Sequence, residues 1–194
     1  MQNKIYWLMG GSGSGKSAAS EIFKELGFKV VDADKVARKI MEKGQSAYDE
    51  TVRAFGDGIL LQDGAINRKK LGEVVFADPK KLGILDKITH KYIKKELCRI
   101  VSESNQDVLI DAALPPKEFC ECDKAILITA PREQRIARIT ARDGITREVA
   151  ENRLDSQLSD KEYAAIADVI FDNDGSIEEL KQKIKKWCIN EKTD

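Results

Sequence analysis

Short apolar runs alternate with longer amphipathic ones along most of this chain. Lys4–Met9 is a compact apolar run that ends at glycines, the pattern of a buried strand. Ser17–Leu26 places Ile22, Phe23 and Leu26 three and four apart, as one helix face requires, and Gly27 stops it. Phe28–Val31 predicts a second strand that ends on Asp32-Ala33-Asp34, and Lys35–Lys43 a second helix stopped by Gly44. Asp107–Ile110, Ala125–Thr129 and Val169–Phe171 repeat the strand pattern. Arg132–Arg142, Thr146–Leu158, Ser159–Ile166 and Ile177–Ile189 repeat the helical one. Ser159 with Glu162, and Ser176 with Glu179, have the spacing of a reciprocal helix cap.

The stretch 45–104 is different, because nothing in it has the pattern of a strong strand. Tyr48–Phe55 and Lys69–Phe76 predict helices on either side of an Asp63-Gly64 turn. Asp78-Pro79 supplies a cap and first turn for a periodic stretch reaching about Ser102. Strands alternating with helices imply right-handed crossovers and a parallel sheet covered on both faces. The expectation is an α/β fold over residues 1–194 as a single domain, interrupted by a helical insertion at about 45–104.

Composition narrows the class without naming it. With 194 residues, 42% hydrophobic and 34% charged, the chain has the profile of a globular domain. Lys+Arg 33 cancels Asp+Glu 33, so no net basic field favours nucleic acid. No apolar run approaches the roughly 18 residues that span a bilayer, and the first residues lack the pattern of an export signal. Cys98, Cys120, Cys122 and Cys188 contain no C-x-x-C pair, which suggests reduced thiols and a cytoplasmic setting. His90 is the only histidine, which argues against zinc, and Cys120-Glu121-Cys122 is then incidental.

The chemistry begins at Gly10-Gly11-Ser12-Gly13-Ser14-Gly15-Lys16-Ser17, a full match to G-x-x-x-x-G-K-[ST]. Glycines let the backbone turn tightly with its N–H groups facing phosphate oxygens, and the following helix adds its positive end. Lys16 is placed to reach the β- and γ-phosphates and the Ser17 hydroxyl to bind Mg²⁺. A strand before and a helix after supply the context that a chance glycine-rich turn would lack. A guanine-reading N-K-x-D is missing from the sequence and the chain is short, so a small-molecule kinase fits better than a GTP switch or an ATP motor.

In an open parallel sheet, ligands bind beyond the carboxyl ends of the strands. Asp32 and Asp34 stand at such an end, and on extended backbone residues two apart share a face. One of them is a candidate base for an attacking hydroxyl, with helix capping as the plainer alternative. Asp111 closes Val108-Leu109-Ile110 and is either a Mg²⁺ ligand or an ordinary strand-end residue. Arg132, Arg135, Arg138 and Arg142 follow at spacings of three, three and four on one helix face, with Arg147 and Arg153 beyond. Such a stripe is by default solvated. Its uniform arginine content points instead to contact with ATP, over a transferring phosphoryl group or over adenine, foremost from Arg138 and Arg142. His90 is a structural residue or a donor in an acceptor pocket.

These residues together resemble the dephospho-coenzyme A kinases over nearly the whole chain. The resemblance rests on Gly10–Ser17, Val31-Asp32-Ala33-Asp34 with Ala37-Arg38, Phe55-Gly56, and Asp63-Gly64 with Ile66-Asn67-Arg68. It continues in Leu71-Gly72 with Val75-Phe76, Ile88-Thr89-His90, Arg142-Asp143-Gly144, Arg153 with Gln157, Ala167-Asp168 and Asn173. It implies a three-layer P-loop kinase fold with a helical acceptor-binding insertion and a helical lid at about 132–158. The implied reaction moves the γ-phosphoryl group of ATP, with Mg²⁺, to the ribose 3′-hydroxyl of dephospho-CoA in a monomeric enzyme. The implied catalytic set is Asp34, Lys16 and Arg142. ATP falls to Gly10, Gly11, Ser12, Gly13, Ser14, Gly15, Lys16, Ser17, Ala18, Arg138, Arg142 and Asn173, and the acceptor to Asp32, Asp34, Arg38 and His90. The metal falls to Ser17 and Asp111. The chain departs from the family pattern at Met9, Ser12 and Lys91 and in the segment from Asp111 to Glu118. The alternatives are a small P-loop kinase for a nucleoside or small alcohol, and a non-catalytic nucleotide-binding regulator.

Overall fold

The computed structural model describes residues 3–112, 116 and 121–191. Ala113, Leu114, Pro115, Lys117 and Glu118 of the divergent segment, and Cys120, lie outside them. The described chain packs as two compact units. One comprises residues 3–31, 104–112, 116 and 121–191, and the other residues 32–103.

The first unit is built on five strands: β1 (Ile5–Met9), β2 (Lys29–Asp32), β3 (Val108–Asp111), β4 (Lys124–Thr129) and β5 (Val169–Asp172). Their order is β2-β3-β1-β4-β5, so the first strand of the sequence is the middle of the sheet. β1 pairs parallel with β3 and β4, and β4 with β5. Six strand residues, Tyr6, Leu8, Leu109, Ile126, Ile128 and Phe171, share one buried cluster with Ile22 and Phe23 of α1 (Lys16–Glu25) and Leu180 and Ile184 of α9 (Ile177–Glu191). The alternate residues Trp7, Met9, Ile110 and Leu127 are equally buried, as expected of a parallel sheet covered on both faces. α6 (Arg132–Asp143), α7 (Arg147–Asp155) and α8 (Asp160–Ala164) complete this unit, with Ile136, Ile139, Ala150 and Leu154 forming a small core between α6 and α7.

The second unit is helical: α2 (Ala33–Ile40), α3 (Ser46–Phe55), α4 (Arg68–Phe76) and α5 (Pro79–Ser102), with a short turn of helix at Asp57–Ile59. Its only β feature among the described residues is one bridge, Leu60 to Ile66, across the Asp63-Gly64 turn. Ile59, Leu71 and Val75 form its core with half-buried Met41, Phe55 and Leu85.

The predicted strands are all present, and both reciprocal caps form, at Ser159–Glu162 and at Ser176–Glu179. Two helices are shorter than their periodicity suggested: α7 ends at Asp155 and α8 at Ala164. A third begins early. α2 starts at Ala33 and not at Lys35, because the Asp32 carboxylate accepts the Lys35 N–H at 2.9 Å and caps the helix directly at the strand end. The expectation that Asp32 and Asp34 share an extended face is therefore wrong: Asp34 lies in the first helical turn.

Candidate active site

The apolar β1 delivers the chain to the carboxyl edge of the sheet, where Gly10–Gly15 bend back into α1. Gly13 and Gly15 have φ of 75° and 100°, a region that residues with a Cβ rarely adopt. Space excludes side chains there as well. A Cβ on Gly13 would lie 2.6 Å from the Arg135 carbonyl oxygen, and one on Gly15 would collide with the Asn173 amide.

The loop carbonyls are caught from outside. Arg135 Nε donates to Ser12 O at 3.0 Å, Arg138 Nη1 to Gly13 O at 3.2 Å, and Asn173 Nδ2 to Ser14 O at 2.8 Å. No described peptide is cis. In a trans peptide C=O and N–H point in opposite directions, so three captured carbonyls turn the N–H groups of Gly13, Ser14 and Gly15 the other way. The Ser14 N–H closes a turn on Gly11 O at 3.1 Å. Those of Gly13 and Gly15 join the first-turn N–H groups of Lys16, Ser17 and Ala18, which have no carbonyl one turn earlier in the helix.

Beside the loop, β3 runs in register with β1, Leu8 opposite Asp111. Lys16 Nζ is bonded to Asp111 Oδ1, and Ser20 Oγ donates to Asp111 Oδ2 at 2.6 Å. The expected metal residues thus lie on adjoining elements: an exposed Ser17 hydroxyl on α1 and a half-buried Asp111 carboxylate on β3. Hydroxyl and carboxylate oxygens suit Mg²⁺, which takes one or two protein ligands and fills its octahedron with water and phosphate oxygens.

The arginine stripe divides by task. Arg135 is buried, with its far end on Asp160 Oδ1 at 2.9 Å. Arg138 Nη2 is held by Gln134 Oε1 at 3.0 Å and Asn173 O at 3.2 Å. Arg138 and Asn173, expected to touch ATP, here bind the back of the loop. Arg142 is exposed and grips Asp143 with two hydrogen bonds of 2.7 and 3.0 Å, and Arg153 binds the same carboxylate. Arg142 first, and Arg153 with it, hold the Asp143 carboxyl far below the usual carboxylate range. Gln157 figures in the family resemblance without a site role, and its amide pairs with Ser12.

In the helical unit a cavity of about 540 Å³ is lined by Asp34, Arg38, Lys43 and Arg68, with Ala37, Met41, Ile66 and Leu71 among its apolar walls. Lys43 Nζ donates to Asp63 O at 3.3 Å, and no described carboxylate pairs with Arg38 or Arg68. Asp32 is occupied in capping, with the Lys35 ammonium 3.3 Å away. Burial works to raise its pKa, but the Lys35 hydrogen bonds outweigh burial and hold it below the ordinary value. His90 is half-buried on α5 and is not among the side chains lining the cavity.

A five-stranded parallel sheet in this order, with a glycine cradle between its central strand and first helix, defines the P-loop kinase class. A sequence profile of the dephospho-CoA kinases matches residues 5–179. The dephospho-CoA kinase of Carboxydothermus hydrogenoformans is 38% identical over 193 residues, covering 94% of each chain. Among solved structures, that of dephospho-CoA kinase from Campylobacter jejuni is 30% identical with a TM-score of 0.63, covering 98% of both chains. The structure of TT1252 from Thermus thermophilus is 26% identical with a TM-score of 0.80, again over 98% of both. The chain belongs to the dephospho-CoA kinase family.

Proposed function

We infer that the chain transfers the γ-phosphoryl group of ATP to the ribose 3′-hydroxyl of dephospho-CoA, yielding coenzyme A and ADP. The observation that carries this reading is the family match over residues 5–179, which spans the cradle, the helical unit and the arginine helices. In this reading the cradle N–H groups bind the β- and γ-phosphates, and Lys16 moves from Asp111 to the triphosphate when nucleotide enters. Ser17 and Asp111 would hold Mg²⁺, which when bound would neutralise phosphate charge. Asp34 accepts the proton of the attacking hydroxyl, and Arg142, on a lid formed by residues 132–158, closes over the transferring group.

The cavity of the helical unit is the acceptor site. Arg38 and Arg68, without carboxylate partners among the described residues, suit the acceptor's diphosphate, and the apolar walls suit its pantetheine arm. The enzyme acts as a monomer in the cytoplasm, on a small molecule and not on nucleic acid. No described helix is long and apolar enough to cross a membrane.

ADP release measured with dephospho-CoA, with adenosine and with no acceptor tests the assignment. Binding energy from the arm, remote from the reacting hydroxyl, should make dephospho-CoA the better acceptor by at least about 10²-fold in kcat/KM. Equal values for adenosine would assign a nucleoside kinase, and no turnover with any acceptor a regulator.

A further inference from the structure

We propose that Gln157 is a positioning residue for the phosphate cradle, acting through Ser12. Gln157 belongs to no helix; it stands between the end of α7 at Asp155 and the cap of α8 at Ser159. Its amide meets Ser12 twice. The Ser12 N–H donates to Oε1 at 2.9 Å, and Nε2 donates to Ser12 Oγ at 2.9 Å. The amide is matched on both atoms, and Ser12 is held at its N–H and its hydroxyl by one side chain.

The Ser12 carbonyl is held as well, by Arg135, whose guanidinium also bonds Asp160 on the first turn of α8. All three polar groups of Ser12 are thus bonded to α6 or to the turn that joins α7 to α8. Ser12 precedes Gly13, the first loop residue whose N–H is turned inward, so its backbone angles set the direction of the peptides that follow. A Ser12 released from Gln157 would leave the loop to sample several shapes, and only some of them present the N–H groups together. ATP binding would then carry the cost of selecting that shape. The Ser12 hydroxyl, standing where the family pattern is apolar, makes half of this contact specific to chains that carry it.

The proposal rests on the loop being a triphosphate cradle, and its test needs no acceptor. ATP with Mg²⁺ is titrated calorimetrically into the full chain and into Gln157→Ala, Ser12→Ala and the double variant, each with a thermal melt. Gln157→Ala should weaken ATP binding about tenfold and raise the KM for ATP in step, with the KM for dephospho-CoA within twofold. Ser12→Ala keeps the N–H contact and should lose less, and Gln157→Ala should cost less in that background than alone. Should Gln157→Ala fail to fold, Ser12→Ala, the smaller truncation, reads the hydroxyl half of the contact by the same titration. Unchanged ATP affinity in the folded variants would overturn the proposal. So would an equal rise in both KM values with a lowered Tm, or the same loss from Gln157→Ala in both backgrounds. A wrong acceptor assignment would show in the ADP-release assay and leave these titrations intact.

Discussion

At the scale of single residues, the proposed reaction puts most of its chemistry on two side chains, Lys16 and Asp34. The Lys16 ammonium rests on Asp111, which holds it beside the cradle. Lys16→Ala should cost about 10²-fold or more in kcat, because charge building on the β–γ bridge loses its nearest cation. Circular dichroism on the same variant should show a folded chain, and near-normal turnover would remove Lys16 from the mechanism. Asp34 lines a cavity with two arginines that have no carboxylate partners among the described residues, while Asp32 is spent on Lys35. Asparagine at position 34 keeps size and a hydrogen-bonding oxygen but cannot take the hydroxyl proton. Asp34→Asn should therefore leave ATP affinity nearly intact and slow single-turnover transfer by about 10²–10⁴-fold. Asp32→Asn, which preserves an N-cap, should slow it far less. The reverse ranking would make Asp32 the base.

At the scale of elements, the cradle shows what a sequence can and cannot declare. Strand, glycines, lysine and helix are contiguous, and local rules suffice to find them. The sequence places the start of α2 two residues late because a capping Asp32 and an Asp34 inside the first turn look alike until backbone geometry separates them. The arginines of α6 were legible as a stripe, but their destinations were not. Arg135 and Arg138 bind backbone carbonyls, which carry no residue signature. The Ser12–Gln157 pair spans 145 positions, beyond any local pattern. Gly15 joins the two kinds of information, being visible in the motif and required by its φ of 100° and by the Asn173 amide packed against it. Gly15→Ala should shift that amide off the Ser14 carbonyl and weaken ATP binding by at least about tenfold, with a loss of about 1–3 kcal/mol in stability. Calorimetry and a denaturant melt read the two effects separately.

At the scale of the whole molecule, the sheet is tied at its far end as well. Glu191, near the end of α9, bonds Lys4 at 3.2 Å and Lys124 at 2.7 Å, at the beginnings of β1 and β4. Burial works to raise the Glu191 pKa, but the hydrogen bonds from Lys124 and Lys4 prevail and hold it below the ordinary value. A depressed carboxyl stabilises the fold fully above its unfolded pKa of about 4.3, and that contribution is lost as pH falls through the folded value. Glu191→Gln should lower Tm by about 2–4 °C at pH 7, allowing for the half-exposed lysines, and the gap to the unaltered chain should close as pH falls below that unfolded value and through the depressed folded one. Melts across that range check both the size and the sign. The strand order has a consequence for how the protein comes into being. β1 is made first, yet both of its neighbours lie more than ninety residues downstream, at Val108–Asp111 and Lys124–Thr129. The helix that seals its inner face, Ile177–Glu191, leaves the ribosome after all five strands. Residues 32–103, by contrast, are one uninterrupted length of nascent chain. The glycine loop after β1 therefore acquires its working shape only once Arg135, Gln157 and Asn173, made more than a hundred residues later, have emerged to hold it.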